Sequence, residues 1–87
     1  MRKKPADQQV GFLHQLITTL VRSIVEHEGQ VQIDCSLSAS GVMFVVRVNH
    51  EDVGLVIGER GATADAIRRI VWTACKKTNV RADIDIL

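Results

Sequence analysis

The stretch Val56-Ile57-Gly58-Glu59-Arg60-Gly61-Ala62-Thr63 constrains the fold more than any other, because an apolar turn runs into two glycines three positions apart and a helical pattern starts at once after them. Glycine tolerates positive φ and lets other backbone come close, so this spacing predicts a tight bend between two helices. The amides of Glu59, Arg60, Gly61 and Ala62 are expected to face outward. Unpaired N–H groups at a helix start, together with the positive end of the helix dipole, favour a phosphate or another anion there.

On the N-terminal side of this corner, apolar residues recur at Val10, Leu13, Ile17, Leu20, Val21 and Ile24 after Asp7, a suitable N-cap. That is one face of a long helix expected to end near Gly29. Fewer than three heptads and no flanking charge pattern favour core packing over a coiled coil. His14 and His27 fall on or beside the polar side and read as solvent-exposed. Val31, Ile33, Cys35 and Leu37 then alternate with polar residues, as in a strand covered on one face. Ser38-Ala39-Ser40-Gly41 supplies a turn into Val42-Met43-Phe44-Val45-Val46-Arg47-Val48, which makes an antiparallel hairpin with Arg47 placed to pair with Asp34. Asn49 can cap the short helix that follows, with Glu51 and Asp52 complementing its positive end and Val53, Val56 and Ile57 turned inward. Gly54 in that helix suggests a close backbone approach.

Beyond the corner, a longer helix is expected to bury Ala64, Ile67, Ile70, Val71 and Ala74 and to end at Lys76, Lys77 and Asn79. Val80, Ala82, Ile84 and Ile86 alternate as a third half-buried strand. The predicted order is helix, strand, strand, helix, helix, strand. Two helices between the second and third strands make a crossover, so those strands should run parallel in a three-stranded mixed sheet with three helices on one face, an α+β fold.

Val56-Ile57-Gly58-x-x-Gly61 followed by a helix with Ile67 six positions on resembles the K-homology (KH) domain signature, and the element order resembles the type II KH fold, α-β-β-α-α-β. In length and lack of any attached domain the chain is most similar to the small bacterial single-domain KhpA family. The resemblance covers residues 8–86, so residues 1–7 read as a disordered basic tail and 8–87 as one KH domain. KH domains clamp the backbone of about four nucleotides at the Gly-x-x-Gly loop and hold bases in an adjoining apolar groove. The resemblance therefore implies a noncatalytic protein of the bacterial cytoplasm that binds single-stranded RNA, acting as an RNA chaperone or post-transcriptional regulator. The clamp would be Gly58, Glu59, Arg60 and Gly61 with Ala62, and the base shelf Val53, Gly54, Val56, Ile57 and Ala64. A homodimer, or a heterodimer with a second KH protein, is also implied. Relatives commonly carry basic or neutral polar residues where Glu59, Ala62 and Asp65 stand, which implies weaker binding and leaves open a protein-interaction domain whose nucleic-acid site has decayed.

Charge supports the same place. The net charge is +1, yet residues 26–59 carry one base and six acids while residues 60–81 carry six bases and one acid. The positive half begins at the glycine corner, as expected of a local phosphate-binding patch. Other chemistries fit poorly. A P-loop needs Gly-Lys-Ser or Gly-Lys-Thr after its glycines, which is missing, so no nucleotide cofactor or small-molecule substrate is expected. Cys35 and Cys75 lack zinc spacing and read as buried thiols in a reducing compartment, with no metal implied. No apolar run reaches the roughly 18 residues of a membrane span. Trp72 lies roughly 140° from the buried stripe counted from Ile67, exposed beside Arg68 and Lys76, where it either lies flat under those side chains or anchors a homodimer through this helix.

Overall fold

The computed structural model describes residues 5–78 and 80–87. The basic residues before Pro5, the cap expected from the Asp7 side chain and the helix end expected at Asn79 lie outside the described residues. The elements are α1 (Pro5–Arg22), β1 (Gln32–Ser38), β2 (Gly41–Arg47), α2 (Val53–Ile57), α3 (Ala62–Thr78) and β3 (Ala82–Ile86). Single 3-10 turns at Glu28–Gln30, His50–Asp52 and Glu59–Gly61 join them. This is the expected α+β order. Among the described residues no helix is long and apolar enough to cross a membrane.

The sheet order is β1-β2-β3, with β1 antiparallel and β3 parallel to the central β2. Period-two alternation stacks three rows on the helix side: Ile33, Val46 and Ile86; Cys35, Phe44 and Ile84; Leu37, Val42 and Ala82. Phe44 sits at the centre with no exposed surface, and Leu13, Ile17 and Val21 of α1, Val56 of α2 and Ile67 and Val71 of α3 close over it. On the other face, Arg47 Nε donates to Asp34 Oδ2 at 3.0 Å, the cross-strand pair expected from sequence.

Burial departs from expectation where the helices do not reach. Leu37 is 70% exposed and Cys35 is also exposed, because β1 is an edge strand and the hairpin end of its inner row extends past the helical cover. Cys35 is therefore not a buried thiol, and Cys75 is only half-buried. Ile70 is 45% exposed, since Ile67, Val71 and Ala64 already fill the contact between α3 and the sheet.

α1 stops at Arg22 rather than near Gly29. The chain tightens through bonds from the Ser23, Ile24 and Val25 amides to Thr19 and Val21 carbonyls, and Val25 is drawn into the core. The segment after this stop is held by the 3-10 turn that leads into α2. Asp52, only 1% exposed, accepts the Glu26 amide at 3.3 Å on Oδ1, and on Oδ2 the His27 amide at 3.0 Å and the His27 ring Nδ1–H at 2.9 Å. Asp52 stands at the helix start as expected and is in addition a buried clasp, and Asn49 caps this turn by accepting the Glu51 amide at 2.8 Å. Neither histidine is simply solvent-exposed. His14 Nε2–H donates to the Ile33 carbonyl at 2.8 Å and its ring tilts against Phe44, which fastens α1 to β1.

The hydrogen bond to Asp52 raises the His27 pKa above 6.5 against partial desolvation, and the charges of Asp52, Glu51 and Glu26 add to the rise. Burial pushes the Asp52 carboxyl up, but the bonds from His27 and Glu26 outweigh it and hold the group below 3.8. A raised histidine pKa stabilises the fold fully below 6.5 and ceases to do so as pH climbs through the raised value; a lowered carboxyl pKa stabilises above 3.8 and fails as pH falls through the lowered value. His27→Gln should therefore be less stable than the parent at pH 5.5, with the gap narrowing by pH 8.5. Urea titrations at the two pH values check this, and an equal gap at both would contradict the clasp. Separately, Phe44→Ala should cost about 3–5 kcal/mol by leaving a cavity under all three helices, read as a lower urea midpoint.

Candidate nucleic-acid interface

The corner between α2 and α3 is built by three backbone exceptions within four residues. Gly58 has φ +78°, Arg60 sits in the left-handed region at φ 56°, ψ 27°, and Gly61 has φ +77°. At Gly58 glycine is required twice over, since a Cβ there would also overlap the Thr63 side chain and lie 2.7 Å from the Thr63 amide nitrogen. The left-handed backbone of Arg60, unlike its place in the clamp, is not announced by the sequence. A left-handed conformation costs a non-glycine residue roughly 1–2 kcal/mol, and such outliers cluster at ligand clamps.

Two of the four amides expected to face outward are engaged inside the turn: Gly61 N–H donates to the Gly58 carbonyl at 3.1 Å, and Ala62 N–H to the Glu59 carbonyl. The Glu59 and Arg60 amides meet no acceptor among the described residues. Both side chains are exposed and lie at the N-terminus of α3, whose 17 residues direct their dipole at the corner.

The structure divides the expected shelf residues. Val56 is fully buried and Ala64 is 5% exposed, so both support the corner from beneath. Ile57, expected inward, is instead 39% exposed, because the tight turn at Gly58 leaves only Val56 of this short helix facing the core. Val53 is half-buried, and Gly54 is exposed with nothing within 4 Å of a Cβ built there, so no protein backbone makes the close approach expected at that glycine. Leu55, 42% exposed beside them, was missed. The signal was available: Val53-Gly54-Leu55-Val56-Ile57 carries more apolar side chains than one buried stripe of a five-residue helix can hold.

Partial desolvation raises both thiols, in the exposed Cys35 through its neighbours alone and in the half-buried Cys75 against the bond from the Ala82 amide, so neither is activated as a nucleophile.

The family model described as the KH domain of KhpA/KhpB matches residues 14–86. A protein of Borreliella burgdorferi named RNA-binding protein KhpA is 36% identical over 80 residues, covering 92% of this chain and 98% of the relative. Proteins of the same name from Leifsonia xyli subsp. xyli and Clostridium acetobutylicum are 40% identical over 73 residues and 32% identical over 75, covering 84% and 86% of this chain and 96% and 100% of the relatives. No solved structure matches. With its βααβ crossover, its Gly58-x-x-Gly61 corner and these matches across nearly all of its length, the chain belongs to the KhpA/KhpB KH-domain family.

Proposed function

We propose that this protein binds single-stranded RNA without catalysing a reaction, with Gly58, Glu59, Arg60, Gly61 and Ala62 clamping phosphates and Val53, Gly54, Leu55 and Ile57 forming the apolar shelf for bases, backed by Val56 and Ala64. The observation that carries this reading is the pair of amides at Glu59 and Arg60 that meet no acceptor among the described residues, in a turn with left-handed backbone at a helix N-terminus. Relatives named as RNA-binding proteins over the same length support it. Residues 8–87 act as one domain in the bacterial cytoplasm, in the manner of an RNA chaperone or post-transcriptional regulator, with no metal, cofactor or small-molecule substrate. Pairing with a second copy or a second KH protein belongs to the same reading, and Ile70, unexpectedly exposed on α3, offers it an apolar contact.

Glu59 favours the competing reading of an interaction domain, since its charge opposes a phosphate. Changing both Glu59 and Arg60 to aspartate should abolish RNA binding and leave the circular dichroism unchanged, because aspartate tolerates the left-handed backbone better than most residues. Retained binding in the same salt would refute the clamp. Conversely, Glu59→Lys alters the local charge by two units, each contributing roughly 0.7 kcal/mol at about 6 Å in water. The gain is at most about tenfold and about threefold after screening, with a steeper loss of affinity as salt rises. A titration at two salt concentrations decides, and unchanged affinity and slope would place phosphate elsewhere or favour the interaction domain.

A further inference from the structure

An open groove lies away from the glycine corner, where the β1-β2 hairpin meets the C-terminal half of α3. It holds about 700 Å³ and is lined by Ser40, Met43, Trp72, Lys76, Arg81 and Asp83, among others. The single tryptophan of the chain is 48% exposed there, and Met43 is 39% exposed. Lys76 and Arg81 are exposed and form no ion pair among the described residues. Asp83, the one acid in the lining, spends Oδ1 on the Ile84 amide at 2.9 Å.

We infer that this groove is a second contact for the same RNA strand, in which a base stacks on the Trp72 indole while Lys76 and Arg81 hold the adjoining phosphates. An indole face flanked by free cations is the arrangement that takes a nucleotide irrespective of its base. A second protein copy is a poorer occupant, because charged residues are depleted from the centre of protein interfaces and here they surround the one aromatic ring among the groove's described lining residues. Ile70, two positions earlier and roughly 200° round the helix, faces elsewhere and is left for a protein partner. The groove also connects to the corner. Arg68, Trp72 and Lys76 recur four residues apart along α3, and Trp72 lies roughly 15 Å along the helix from the glycine turn. A strand anchored at the corner and drawn along this row reaches the indole once it exceeds the about four nucleotides the corner itself holds.

This inference rests on the RNA-binding reading, and the test separates the two. Intrinsic Trp72 fluorescence is followed while unstructured single-stranded RNAs of about 5 and about 14 nucleotides are added, and affinity is read in parallel from labelled RNA. The longer RNA should quench Trp72 and the shorter one should not. Trp72→Ala should weaken the longer RNA on the order of tenfold and leave the shorter one unchanged, with Trp72→Phe retaining most of the affinity. Removing both Lys76 and Arg81 charges as glutamines should lower the salt slope for the longer RNA by about 1.4. If both RNAs bind through the glycine corner without quenching, and Trp72→Ala binds like the parent, the groove is not a nucleotide site and the corner assignment stands. If neither RNA binds, both fall. If fluorescence follows protein concentration instead of RNA, and sedimentation shows a dimer that Trp72→Ala abolishes, the groove is a protein interface and the inference is overturned.

Discussion

The position of the glycine corner depends on the buried carboxylate of Asp52. One side chain gathers the Glu26 and His27 amides and the His27 ring, and so fastens the segment after α1 to the turn that begins α2. Asn49 adds a second tie by donating to Gln30 at 2.9 Å. Without these bonds, α2 would be five residues of helix joined to the sheet by a flexible turn, too short to hold its own direction. A buried carboxylate is costly unless its lone pairs are filled, and here three N–H donors fill them. The same bonds that stabilise Asp52 therefore orient the amides of Glu59 and Arg60 two turns away.

The sheet and the long helices were legible in the sequence because their signals are periodic. Ile33, Val42, Phe44, Val46 and Ile84 alternate, and Leu13, Ile17, Val21, Ile67 and Val71 recur at helical spacing, and all ten are buried. The parallel pairing of β2 with β3 followed from two helices lying between them. What pattern could not show was where cover ends: Leu37 continues the alternation of β1, and Ile70 the stripe of α3, yet neither meets a facing element. Periodicity reports which way a side chain points, and burial needs something on that side.

The corner was legible in part for a similar reason. Gly58 and Gly61 announce positive φ through their composition, whereas Arg60 adopts it because the turn closes on both sides of it, a property of the assembled loop. Asp52 was read by its place in a helix start, which is a local argument. Its actual partners lie 25 and 26 residues earlier in the chain, beyond any local signal.

The parallel ladder has a consequence for how the molecule comes into being. Val42 pairs with Ala82 across the whole of α2, the corner and α3, so the central strand waits for its second neighbour until both helices have been synthesised. Contacts so distant in sequence form late and slow folding. During synthesis the hairpin and α1 can assemble while the edge of β2 stays open, and β3 then seals that edge and holds α3 against the sheet at once. The charged corner and the groove at the far end of α3 thus reach their final geometry in the same closing step, and a chain still on the ribosome short of β3 presents neither.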